Sequence, residues 1–179
     1  LLIVAVAGFV AWRLAPQVSA WTGIGAADRP APELSARTLD GRHIDADDMA
    51  GRVVVVNFWA TWCPPCRLEL PALRDLHREH GGEGLLVLGL SIDDGEAAVE
   101  RFLERRELDL PVAMADAGHR RAFGGVEAVP TTILIGRDGR VRHRVEGLFA
   151  PPALKAAVRR LLAEPPPAPA GGRGGADGS

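Results

Sequence analysis

Two nearly unbroken apolar runs, Val53–Trp59 and Leu85–Ile92, constrain the fold of this chain more than any other feature. A strand with one face in water alternates apolar and polar residues. A run without alternation must be covered on both faces, as in the centre of an α/β sheet. Each run is followed by a segment with helical spacing, over 63–80 and 95–106. At the junction of the first strand and helix stands Trp62-Cys63-Pro64-Pro65-Cys66, which contains the only two cysteines of the chain.

The rest of the chain fits around that frame. Residues 34–44, broken by Asp40-Gly41, read as a short hairpin, and 45–50 as a helical turn. The helix over 63–80 carries Pro71 in its interior and is expected to stop at Gly81-Gly82. Residues 112–115 form a short strand and 118–123 a helical turn. Strands over 131–135 and 140–145, joined by Arg137-Asp138-Gly139, make an antiparallel hairpin, and a closing helix over 151–163 has Pro at its first turn. The order predicts an α/β sandwich: a central mixed sheet flanked by helices.

At 179 residues the chain is long enough for one well-packed domain. The formal net charge is −2 and no basic stripe is present, which argues against a nucleic-acid partner. Residues 1–12 are an apolar run, shorter than the roughly 20 residues a bilayer span needs. Because the sequence does not begin with Met, residues 1–20 are expected to be the remainder of an N-terminal membrane anchor or signal segment. Val18-Ser19-Ala20 keeps cleavage and secretion open as an alternative. Residues 21–31 read as linker, 32–163 as the folded domain, and 164–179, rich in Pro and Gly, as a disordered tail. The domain is expected on the extracytoplasmic side of a bacterial inner membrane, where a cysteine pair can cycle through a disulfide that persists.

Two thiols separated by two residues can close a disulfide or open to a dithiol. At a helix start the first, Cys63, faces unpaired backbone N–H groups and the positive dipole end, which favour its thiolate. Cys63 is thus the candidate nucleophile and Cys66, one turn inside, the resolving sulfur. Pro64 and Pro65 lack an N–H, so two donors that could acidify Cys63 are missing, and the pair is expected to be a reductant. A zinc site of Cys63, Cys66, His77 and His80 fails on distance, since Cys66 and His77 lie roughly 16 Å apart on one helix. No metal and no cofactor beyond the cysteine pair is expected. Glu69 falls inside the apolar stripe Cys66, Leu70, Leu73, Leu76, and no Lys or Arg stands three or four residues away to pair with it. Its carboxyl should titrate high, one turn from Cys66, where it could exchange the proton of the resolving thiol. His43, His119 and His143 read most simply as surface residues.

The stretch Asn57-Phe58-Trp59-Ala60-Thr61-Trp62-Cys63-Pro64-Pro65-Cys66, with Glu69-Leu70-Pro71 after it and Val129-Pro130-Thr131-Thr132 downstream, resembles the thioredoxin fold. More narrowly, it is similar to the TlpA-like disulfide reductases, which include cytochrome c maturation proteins. The resemblance implies a thioredoxin-like domain with an N-terminal hairpin and an inserted strand–helix element over 85–106. It also implies a cis Pro130 that packs against the disulfide and presents backbone, with Val129 and Thr131, to an extended substrate. Trp62, Pro64 and Pro65 complete the expected docking surface, with Trp59 in the core. In thioredoxin the position of Asn57 holds a buried acid that serves the resolving cysteine. An amide cannot take a proton, which strengthens Glu69 as its substitute. The implied partners are a disulfide-containing protein substrate, with the CxxCH segment of an apocytochrome c as one candidate, and a membrane electron donor that re-reduces the enzyme. Two alternatives come from other classes. A peroxide-reducing enzyme on this fold needs a Pro-x-x-x-Thr-x-x-Cys loop, and Thr61 stands too close to Cys63 for it. A copper or haem carrier would need a further ligand, with His143 as its candidate.

Overall fold

The computed structural model describes residues 28–166 together with Val6. The anchor or signal segment expected over 1–20, most of the 21–31 linker and the tail beyond 166 lie outside the described residues. A six-stranded sheet in the order β1-β8-β7-β4-β5-β6 forms the centre. Its strands are β1 (Arg29–Pro30), β4 (Val53–Trp59), β5 (Leu85–Ser91), β6 (Val112–Met114), β7 (Thr131–Ile135) and β8 (Arg140–Glu146), while β2 (Ala36–Arg37) and β3 (His43–Ile44) form a separate hairpin. The helices are α1 (Ala46–Met49), α2 (Pro64–His80), α3 (Glu96–Arg106), α4 (Ala117–Ala122) and α5 (Pro151–Leu162).

β4 lies between β5, which runs parallel to it, and β7, which runs antiparallel. Every residue of β4 and β5 is buried, as unbroken apolar runs require. The pleat sorts their side chains into two layers. Val53, Val55, Trp59, Leu85 and Val87 pack with Leu70, Leu73 and Leu76 of α2 and Leu154, Val158 and Leu161 of α5. Val54, Val56, Phe58, Leu86, Leu88 and Leu90 face the other way, against Leu34 and Ile44 of the hairpin region and Phe123 and Val126 after α4. Burial of such aliphatic side chains, worth about 1.5–3 kcal/mol each, is the main force holding the two layers to the sheet. The hairpin also caps the sheet edge, since Thr38 bridges to Ala113 of β6 and the Leu39 N–H donates to the Val112 carbonyl at 2.8 Å.

Three details differ from the sequence-based expectations. Arg29 and Pro30, inside the segment read as linker, pair with Val141 and Arg140 and form the outer strand beside β8. α2 stops at His80 with Gly81 as its C-cap, where it was expected to stop, but Gly81 keeps right-handed helical angles and leads into a single 3₁₀ turn over Gly81–Glu83. The reversal falls on Gly84, at φ +89°, where a Cβ would also sit 2.9 Å from Arg137 Nη1. His143 is not at the surface. It alternates with Arg142 and Arg144 along β8, faces inward with Val145, and is buried opposite Leu134.

Candidate active site

β4 delivers the chain to a tight turn, in which the Cys63 N–H donates to the Ala60 carbonyl at 3.2 Å, and α2 begins directly after it. Cys63 is the N-cap of α2 and is joined to Cys66 by a disulfide, with the Cα atoms 5.3 Å apart. The first two helical positions are Pro64 and Pro65, whose missing N–H groups would have had no partner within the helix. The third, Cys66, donates its N–H to Cys63 Sγ at 3.3 Å. The Cys63 sulfur is therefore capped by one backbone donor, since the first two helical positions carry no N–H. Both cysteines are nearly covered, with 3% of Cys63 and 1% of Cys66 exposed. Trp62 stands out beside them at 61% exposure, while Trp59 is fully buried, as expected for each.

On the other side of the disulfide the Val129–Pro130 peptide is cis, and the Val129 carbonyl oxygen lies 3.7 Å from Cys63 Sγ. Three consecutive residues there differ sharply in what they can offer. Val129 is partly exposed. Pro130 is buried, and its carbonyl already accepts the Gly147 N–H at 2.8 Å. Thr131 is fully buried, paired to Phe58 on one side and Glu146 on the other, with its hydroxyl on the Ala128 carbonyl at 2.8 Å. The expectation that Thr131 presents itself to a substrate is thus corrected: both neighbouring strands occupy it. Of the three residues, Val129 has backbone left to offer.

Glu69 is fully buried on α2. It lies one turn beyond Cys66, a spacing that sets Cβ atoms roughly 5–6 Å apart. Its Oε1 accepts from the Thr132 hydroxyl and from Asn57 Nδ2 at 3.2 Å, and Asn57 Nδ2 also donates to Thr132 Oγ1 at 2.8 Å. Its Oε2 accepts the Phe149 backbone N–H at 3.1 Å. These donors are all neutral. Burial therefore outweighs the hydrogen bonds from Thr132 and Phe149, and the carboxyl is pushed from an ordinary 4.5 up to about 7. Such a group both accepts and returns a proton near neutrality.

Glu69 was legible from the helical wheel, but its partners were not. Asn57 and Thr132 meet it because they are paired across β4 and β7 and point to the α2 side of the sheet. Among the described residues, no three His, Cys, Asp or Glu gather into a metal-binding group, and no helix is long and apolar enough to cross a membrane. His143, the ligand considered for copper, is buried on β8, and its lowered pKa follows from desolvation with Arg160 and Arg142 nearby.

Comparison with known proteins agrees with this arrangement. Residues 27–144 match the model of the AhpC/TSA family. A relative named thiol-disulfide oxidoreductase ResA, from Bacillus thuringiensis subsp. konkukian, is 34% identical over 119 residues, covering 66% of this chain and 69% of its own length. A ResA from Geobacillus thermodenitrificans is 31% identical over 125 residues, covering 70% of this chain and 72% of its own. Among solved structures, a thiol:disulfide interchange protein of the thioredoxin family from Chlorobium tepidum TLS superposes with a TM-score of 0.70. It is 30% identical and covers 76% of this chain and 98% of its own. With a CxxC pair at the start of a helix, the fold around it and these relatives all in agreement, the chain belongs to the AhpC/TSA family and is a thioredoxin-fold thiol-disulfide oxidoreductase.

Proposed function

We propose that the enzyme is a reductase of protein disulfides outside the cytoplasm, tethered by residues 1–20 and re-reduced by a membrane electron donor. The observation that carries the direction is the start of α2. Pro64 and Pro65 offer no N–H, and Cys63 Sγ is served by the Cys66 N–H at 3.3 Å. Fewer donors to the thiolate leave the dithiol less stabilised relative to the disulfide, and such a pair gives electrons away.

The cycle then runs as follows. The Cys63 thiolate attacks one sulfur of the substrate disulfide, forming a mixed disulfide and expelling the other substrate sulfur as a thiolate. Glu69, as carboxylate, takes the proton from the Cys66 thiol. The Cys66 thiolate attacks Cys63 Sγ, closes the Cys63–Cys66 disulfide and releases the second substrate thiolate. Two electrons have passed from enzyme to substrate, and the pair itself is the only redox group this reading requires. Val129 offers backbone to an extended substrate, and Trp62 with Pro64 and Pro65 forms the apolar surface around it. An oxidised CxxCH segment of an apocytochrome c fits as substrate through the resemblance to cytochrome c maturation proteins.

Equilibration of the soluble domain with thiol–disulfide buffers tests the direction. The expected potential lies well below about −200 mV, whereas a value near about −120 mV would make the protein an oxidant and overturn the proposal.

A further inference from the structure

Directly before Trp62-Cys63, one residue has every polar group of its backbone and side chain occupied. The Thr61 N–H donates to Asp93 Oδ2 at 2.9 Å and its hydroxyl to Asp93 Oδ1 at 2.6 Å. Its carbonyl accepts from Arg67 Nε at 2.8 Å. Asp93 is itself steered, because Ser91 Oγ donates to Asp93 Oδ2 at 2.7 Å and accepts the Asp93 N–H at 3.1 Å. Ser91 is fully buried and ends β5, the parallel neighbour of β4. Arg67 is held from the other side, with its guanidinium 5.7 Å from the centre of the Phe102 ring on α3.

The carboxylate of Asp93 thus takes three donors, from Thr61 and Ser91, in a part-buried setting. Hydrogen bonds to a charged acceptor are roughly twice as strong as neutral ones. Trp62 adds no anchor of its own, because its side chain is largely in solvent. Besides the Cys63 N–H on the Ala60 carbonyl that closes it, the turn from Ala60 to Cys63 is held through Thr61. The Cys63 sulfur must sit under the Cys66 N–H and beside the Val129 carbonyl at once, which leaves little room for drift.

We infer that Asp93 is a positioning residue for thiol–disulfide exchange, holding Thr61 so that Cys63 Sγ meets the Cys66 N–H and Trp62 faces the incoming substrate. The inference rests on Cys63 being the attacking sulfur. Asp93 touches neither sulfur; it acts through Thr61.

The test compares wild type with Asp93→Ala, Thr61→Val, their double variant and Thr61→Ser, all reduced and assayed where circular dichroism shows each folded. Two readouts are taken: the pH midpoint of Cys63 thiolate absorbance, and the second-order rate of exchange with an oxidised model protein. Attack geometry disturbed by a fraction of an ångström to one ångström lowers rates by about ten- to a hundredfold. Asp93→Ala and Thr61→Val should each slow exchange by at least about tenfold and move the Cys63 midpoint upward. The double variant should be no slower than the worse single, and Thr61→Ser, which keeps the hydroxyl, should stay within about twofold of wild type. If Asp93→Ala does not fold, Thr61→Val against Thr61→Ser decides alone. Folded variants with unchanged midpoint and rate would overturn the inference, as would losses that multiply in the double variant. A folded, reduced wild-type protein that does not exchange with the oxidised model protein at any pH would instead remove Cys63 as nucleophile, a different failure that the rate measurement on wild type alone identifies.

Discussion

Replacing Glu69 by Gln should change how stability depends on pH, by an amount that follows from the site. In the unfolded chain the carboxyl titrates near 4.5, and in the fold near 7. A group whose folded value is raised contributes most below its unfolded value, and that contribution disappears as pH rises through the folded one. At about 1.4 kcal/mol per pH unit, ionising buried Glu69 costs the fold about 3 kcal/mol above pH 7. Gln carries no such cost. Its carbonyl can still accept from Thr132 and Asn57, but its amide would face the Phe149 N–H, a mismatch of about 1–3 kcal/mol at every pH. Wild type should therefore be the more stable protein at pH 4, and the gap should close or reverse by pH 9, a swing of about 3 kcal/mol centred between 4.5 and 7. Urea unfolding of the oxidised proteins at half-unit pH steps measures this, and keeping the disulfide closed removes the cysteines from the titration. A stability gap that is flat from pH 4 to pH 9 would refute the reasoning, because Glu69 would then titrate alike in both states.

Gly89→Ala should destabilise the domain by about 1–3 kcal/mol, read as a lower Tm, because the new Cβ would lie 3.0 Å from Trp59 Nε1 and 3.2 Å from Val112 Cγ2 in a fully buried strand. An unchanged Tm would mean that the Trp59 indole moves freely. His143→Leu should become progressively more stable relative to wild type as pH falls below 6.5. Burial lowers the folded pKa of His143, so the unfolded state binds the proton better and wild type loses stability on that side. A gap independent of pH in chemical denaturation would contradict it.

Much of this architecture was legible because burial leaves a mark on composition. β4 and β5 announce themselves as runs with no polar alternation, and the Glu69 carboxyl stands out as an acid inside an apolar helical stripe. His143 was equally legible in principle, since in Arg140–Glu146 it shares the alternate positions of Val141 and Val145. β1 was not, because two residues that include a proline carry no strand pattern and pair only once β8 is in place. Which threonine faces the site is a matter of register. Asn57 opposes Thr132, and a slip of one residue would have turned Thr131 toward Glu69 instead. The Asp93–Thr61 contact joins residues 32 apart, and nothing local marks it.

The loop after β8 touches both halves of the site within three residues. Gly147 donates to the Pro130 carbonyl, and Phe149 donates to the Glu69 carboxylate. A substrate docked along Val129, as proposed, would lie beside one contact of this loop, and a proton arriving on Glu69 would meet the other. Thermodynamic reciprocity ties the two together: whatever factor docking applies to the proton affinity of Glu69, protonation must return to the affinity for substrate. Any factor other than one would appear as protons exchanged with the buffer on docking, before any sulfur has exchanged.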